Sequence, residues 1–194
     1  KPAGGWPVVI YQHGITGNRS QALALADTMA SIGVAVVSMD LPLHGITQTN
    51  PMDPTQPLAA LYVGNTPPFD EIANERTFDL DLQDNASGAP GPDGQIDSSG
   101  AFFINLQSLL TARDNLRQGQ VDLSTLALNV PFMDIDGDSV PDFDGSSISF
   151  VGLSLGSIVG TSFLAVEPTV NNAVLSVPGG GIANLLAASP TFGP

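Results

Sequence analysis

Apolar residues fall into short runs separated by turn-rich stretches, and the spacing inside each run predicts its element. Residues 8–12 are a continuous run that breaks at His13-Gly14, as a buried parallel strand does on entering a loop. Over residues 20–32, Leu23, Leu25, Ala26, Met29, Ala30 and Ile32 recur at helical spacing, with Ser20 placed as an N-cap and Gly33 as a stop. Residues 34–39 predict a second buried strand ending at Asp40, and residues 105–118 a helix with Leu106, Leu109, Leu110, Arg113 and Leu116 on one side. Residues 148–151 predict a third strand, residues 155–166 a third helix, and residues 173–177 a fourth strand. The stretch 41–100, rich in Pro, Asn, Asp and Gly, is too long for a structureless loop and is expected to hold small elements, including a short helix at about 70–78. Strands alternating with helices predict an α/β domain, a mostly parallel sheet with helices on both faces and right-handed crossovers. Residues 1–194 are read as one partial domain with a loop-rich excursion at 41–100. Four core strands leave an exposed sheet edge.

Composition narrows the function classes. The chain has 194 residues, 42% of them hydrophobic, enough for a folded core. Five Lys plus Arg against 19 Asp plus Glu give a net charge of −14, which disfavours nucleic acid and anionic membrane surfaces as partners. No apolar stretch reaches the roughly 18–20 residues of a membrane span. There is no cysteine, so disulfides and thiolate-bound zinc are excluded. Oligomeric state has no signature in the sequence.

The most informative string is Gly152-Leu153-Ser154-Leu155-Gly156, preceded by a β-rich run and followed by an apolar helical one. A G-x-S-x-G pattern in that setting predicts a strained strand-to-helix turn that lifts the serine hydroxyl to the end of the sheet. Ser154 is therefore the candidate nucleophile. The helix after it offers the Leu155 backbone N–H to developing negative charge. His13-Gly14-Ile15, directly after the first strand, is placed to offer the Ile15 N–H as a second oxyanion donor. His13 is read as holding that loop by hydrogen bonds. His44, in Leu41-Pro-Leu-His-Gly45 after the second strand, is a candidate substrate contact, the alternative being a loop histidine with local hydrogen bonds.

These two elements resemble an α/β-hydrolase of the lipase and esterase type. Further strings narrow the resemblance: Gly91-Pro-Asp-Gly94, Asp97-Ser-Ser-Gly100, Thr111-Ala-Arg-Asp-Asn-Leu-Arg-Gln118, Asp134-Ile-Asp-Gly-Asp138 and Pro141-Asp-Phe-Asp-Gly145. Together they are similar to the extracellular lipase and lysophospholipase family of marine Gram-negative bacteria, the lecithinase-like virulence-factor type. The resemblance implies hydrolysis of fatty-acyl esters, lipid or small-molecule, by a secreted or cell-surface protein. It implies no required cofactor.

The chain order of the fold is serine, acid, histidine. After Ser154 there is one acidic residue, Glu167, badly placed at the end of a helix, and no histidine. The expectation is that the triad acid and base lie beyond Pro194, that the sheet is incomplete at its C-terminal end, and that this chain alone is a poor catalyst.

Asp134, Asp136, Asp138, Asp142 and Asp144 crowd the stretch before the third strand. The alternate spacing of the first three resembles a calcium loop, but Gly137 stands at loop position 4 rather than 6, and Gly145 replaces the glutamate of position 12. A structural calcium and a solvated acidic turn both remain open. Gly179-Gly-Gly181 lacks the lysine of a phosphate loop. Residues 58–63 and 182–188 could line an acyl pocket or pack in the core. Two rival readings are a non-catalytic hydrolase-like binding module stabilised by calcium, and the same fold acting on a peptide or thioester.

Overall fold

Strand β1, Trp6–Gln12, forms where the apolar run is continuous, and Val8, Val9, Ile10 and Tyr11 are all buried, as in a central strand covered on both faces. A computed structural model describes residues 1–47, 75–181, 184 and 188. β2 (Ala35–Ser38) pairs parallel with β1 from Val8↔Ala35 to Tyr11↔Ser38. β3 (Phe143–Leu153) pairs parallel on the other side, ending at Gln12↔Gly152. β4 (Val170–Ser176) pairs parallel with β3. The order β2-β1-β3-β4 defines an α/β fold with a parallel sheet.

Helix α1 (Leu23–Ser31) connects β1 to β2, α2 (Leu109–Asn129) precedes β3, and α3 (Leu155–Leu164) connects β3 to β4. The first connection runs outward from β1 in one direction and the last outward from β3 in the other. Right-handed crossovers then put α1 on one face of the sheet and α2 and α3 together on the opposite face. The reversal between β1 and β3 opens a crevice at their carboxyl ends, where ligands bind in open α/β sheets. The core lies beneath it, with Ile10, Ile148 and Phe150 of the sheet against Val159 and Phe163 of α3 and Leu123 of α2.

Several expectations need correction. The cap before α1 is Asn18, whose side chain accepts the Ser20 N–H at the start of a 3-10 turn, Arg19–Ala22; Ser20 is the donor there, not the cap. α2 starts later than predicted and continues through Gly119 to Asn129. Its buried face is Gly119, Leu123 and Ala127, whereas Leu109 and Leu110 are exposed. Gly119 is inside the helix because a methyl there would sit 2.9 Å from Leu41 Cδ2 and 3.3 Å from Val159 Cγ1. Contact with α3, not helix termination, explains that glycine. Of the helix expected at about 70–78, residues 76–78 form a turn and 70–74 lie outside the described residues. Among the described residues β2 and β4 are the outer strands, and most of β4 is exposed.

Candidate active site

Ser154 stands alone between the last residue of β3 and the first of α3, with φ 51° and ψ −113°. A non-glycine residue held there costs about 1–3 kcal/mol, so its surroundings must impose the conformation. Its N–H donates to the Ser176 carbonyl at 2.9 Å, tying the turn to the end of β4. The buried Ser157 hydroxyl lies 2.6 Å from the Gly152 carbonyl and 2.8 Å from the Ser176 carbonyl, bracing the same three segments. Both flanking glycines are required by space. A methyl on Gly156 would overlap the Gln12 carbonyl oxygen, and one on Gly152 would sit 2.8 Å from the Gly156 carbonyl oxygen.

The loop after β1 closes on this turn from the side. A methyl on Gly14 would lie 3.2 Å from Ser154 Cβ and 3.8 Å from its Oγ, so the backbone of Gly14 is packed directly against the serine. The Gly17 N–H donates to the Gly14 carbonyl at 3.1 Å, and Thr16 has φ 62° at the third position of that turn. The turn uses the Gly17 amide and leaves the Ile15 N–H outside its hydrogen bond, while Ile15 packs its side chain against the core. The Leu155 N–H belongs to the first turn of α3, where no carbonyl of the helix itself can accept it. Leu155 directly follows Ser154, and Ile15 directly follows the glycine packed against it.

Both histidines face inward. The His13 ring is fully buried; its Nε2 accepts the Leu41 N–H at 3.1 Å, which leaves Nδ1–H to donate to the Gly14 carbonyl at 2.8 Å. The His44 ring packs 4.9 Å from that of His13 and edge-on to Phe103, and its Nδ1 pairs with the Pro42 carbonyl at 2.8 Å. Its Nε2 is buried without a hydrogen-bond partner, pressed against Gly100, where a methyl would overlap it. Burial, followed by the nearby His13, lowers the His44 pKa to about 3. The side chain expected to touch substrate at the rim is instead wholly enclosed, because Gly100 and Phe103, at and just past the end of the 41–100 excursion, cover it.

Sequence reasoning missed a partly buried ion network beside these rings. Arg19 donates its backbone N–H to Asp40 Oδ1 at 2.5 Å and its Nη1 to Asp40 Oδ2, and it pairs in bidentate fashion with Glu75 at 2.7 and 2.8 Å. Glu75 also accepts the Ile46 N–H at 2.7 Å. Arg76 donates to the Asp40 carbonyl at 2.7 Å. The hydrogen bond to Glu75 raises the Arg19 pKa further above its ordinary value, so it stays charged. Burial pushes the Asp40 carboxyl up against the pull of Arg19. For Glu75 burial acts the same way, but Arg19 and the Ile46 amide outweigh it and hold the carboxyl below its usual range. The one available signal was scarcity, since Arg19 is among only five basic residues.

The acidic loop lies at the other end of the sheet. Asp134, Asp136 and Asp138 bring one carboxylate oxygen each within 4.8 Å of one another. The Lys1 ammonium is seated among them, 3.2 Å from Asp138, 2.9 Å from Asp142, 2.8 Å from the Val140 carbonyl and 3.9 Å from Asp136. The Asp134 carboxylate instead accepts the Gly137 and Ser139 N–H groups. Asp144 is not part of the set: it lies in β3 and its carboxylate accepts the N–H and hydroxyl of Ser146. Glu167, 9% exposed, accepts the N–H and hydroxyl of Thr169 and caps the turn after α3. Residues 58–63 lie outside the described residues, as do residues 182–188 apart from 184 and 188.

No family model and no curated protein matches the chain. Among solved structures it is similar to DcsB in complex with its substrate analogue, at 16% identity and a TM-score of 0.45, over 87% of this chain and 35% of that one. It is also similar to acetyl xylan esterase 1 from Thermoanaerobacterium sp. JW/SL YS485, at 20% identity and a TM-score of 0.44, over 90% of this chain and 40% of that one. The chain spans well under half the length of either structure.

Proposed function

We propose that this chain carries the nucleophile and oxyanion hole of a serine ester hydrolase of the α/β-hydrolase type. The observation that carries the reading is the strained Ser154 turn, φ 51°, with the Gly14 backbone packed against the serine. Ser154 Oγ attacks the acyl carbonyl carbon, and the Ile15 and Leu155 amides take the charge that develops on the carbonyl oxygen. The C–O bond to the alcohol breaks, the alcohol leaves with the serine's proton delivered through a general base, and water then cleaves the acyl-enzyme. The base and its acid partner come from outside these 194 residues, because both histidines are buried and Nδ1 of each is bonded to a backbone carbonyl. Following the sequence resemblance, the substrates are fatty-acyl esters, lysophospholipids included, met outside the inner membrane of a Gram-negative bacterium.

Ser154→Ala in the full natural protein tests this directly. Activity on nitrophenyl acyl esters should fall on the order of a million-fold, with loss of fluorophosphonate labelling at residue 154. Surviving esterase activity would overturn the mechanism. A wild-type protein that neither labels nor hydrolyses would favour the binding-module reading.

A further inference from the structure

We infer that Arg19 is a positioning residue for the oxyanion loop, setting where the Ile15 amide lies relative to Ser154; the inference rests on the ester-hydrolase reading above. The loop from Gly14 to Arg19 is clamped on both sides of Ile15. On the near side, the Gly14 carbonyl takes the His13 Nδ1–H and the Gly17 N–H. On the far side, the Ser99 hydroxyl donates to the Gly17 carbonyl at 2.6 Å, and Arg19 grips Asp40 through both its backbone N–H and its guanidinium. The guanidinium then reaches on to Glu75, which also holds the Ile46 amide. One side chain therefore joins the oxyanion loop to Asp40, the second residue past β2, and to Glu75, more than fifty residues further along the chain than Arg19.

The chemistry of the fork matters here. A guanidinium presents five donors in one plane and can serve two carboxylates and keep its orientation, which an ammonium cannot. Asp40 is 4% exposed, so removing its cation leaves a carboxylate facing the low-dielectric end of the sheet. Besides taking a proton, it can relax by moving the 14–19 loop, whose Arg19 N–H it still holds. A displacement on the order of 1 Å at an oxyanion donor costs about 10- to 100-fold in rate with little effect on ground-state binding, because the donor matches the charge of the transition state.

The test uses Arg19→Gln and Arg19→Lys in the full natural protein. Arg19→Gln should lower kcat about 10- to 100-fold with KM nearly unchanged, and Arg19→Lys should recover only part of that loss. The second readout is the rate ratio between an oxygen ester and its thiono analogue, whose larger sulfur fits a formed oxyanion hole poorly. In Arg19→Gln that ratio should shrink toward the uncatalysed value. A drop in kcat with the ratio intact would mean only that fewer molecules are folded, and it would overturn the inference, as would an unchanged kcat. If Arg19→Gln does not fold, Glu75→Gln retains the Asp40 contact and serves instead, with a smaller drop in both readouts expected and no change in either overturning the inference. Failure of the underlying reading is separate: it would show as an active Ser154→Ala, whatever Arg19 does.

Discussion

The two ends of the sheet solve the same problem, a surplus of negative charge, in opposite ways. At the carboxyl end the enclosed Asp40 and the half-buried Glu75 share one guanidinium, with the His13 and His44 rings tilted against each other beside them. At the amino end Asp134, Asp136 and Asp138 lie in a loop where most of the acidic side chains are open to solvent, with the Lys1 ammonium among them. Enclosed charge tolerates no missing partner, whereas solvated charge is screened and loses little. The strained serine sits at the enclosed end, where fixed groups need not reorganise as charge develops. Substitutions should therefore bite hardest near Ser154 and fade toward Lys1.

The largest effect is expected from Gly156→Ala. Its methyl would overlap the Gln12 carbonyl oxygen and come within 2.6 Å of the His13 carbonyl oxygen, and both neighbours are backbone. The first turn of α3 must shift, at a cost of about 3 kcal/mol, the upper end for overpacking. Denaturant melts should show that loss, and the rate of fluorophosphonate labelling should fall with it because the Leu155 amide moves.

The pH dependence set by His44 ranks next when read over the first pH unit below 6.5. Its pKa is lowered from 6.5 to about 3, first by burial and then by His13, while the Pro42 carbonyl and Asp40 pull the other way and Arg76 adds to the depression. Above pH 6.5 the ring is neutral whether folded or unfolded. Below it the unfolded chain takes the proton first, so stability falls as the pH drops, by up to about 1.4 kcal/mol per pH unit. Urea melts at pH values across that window should show the slope, and His44→Gln should flatten it. An equal slope in the variant would assign the effect to other groups.

Smaller again is Ser157→Ala, which removes the hydroxyl shared by the Gly152 and Ser176 carbonyls. A cost of about 1–2 kcal/mol is expected, as for a lost buried donor. Restored stability in Ser157→Thr, which keeps the hydroxyl, would tie the loss to the hydrogen bond and not to packing.

The same contrast explains what the sequence revealed. Strands β1 and β3 and the Ser154 turn were legible because burial on both faces and a local G-x-S-x-G pattern leave their marks within a few consecutive residues. The helix predicted over 105–118 stops short of Gly119, whose place inside it is set by Leu41 and Val159, distant in sequence. His44 read as a rim residue because nothing near it in sequence announces Gly100 or Phe103. The Arg19 network joins residues 19, 40 and 75, and no spacing rule links those positions. The acidic loop, local again, was legible in outline. Its missing part was the ammonium of Lys1, more than a hundred residues away.

That ammonium supplies the smallest expected effect and the sharpest test of the contrast. The hydrogen bond from Lys1, then the Ile135 amide, holds the Asp142 carboxyl below its usual range, and the bond to Asp142 raises Lys1 above its own. The carboxylate's contribution is present above the ordinary Asp value, about 3.9, and is lost as pH falls through the depressed folded value. The ammonium's contribution is present below its ordinary value and is lost as pH rises through the raised one. Lys1→Met should therefore lower the melting temperature slightly between those limits, less than any substitution above, and added salt should shrink the difference. Limited proteolysis should find the 134–142 loop more easily cut in the variant, with fluorophosphonate labelling of Ser154 unchanged. Millimolar calcium added to Lys1→Met separates two natures of the loop. Recovered stability would mean the oxygens around Asp138, Val140 and Asp142 accept a divalent ion in the ammonium's place. No recovery would mean that they are shaped for the ammonium alone. A loss as large as that in Gly156→Ala would break the comparison, since solvated charge would then matter as much as enclosed charge.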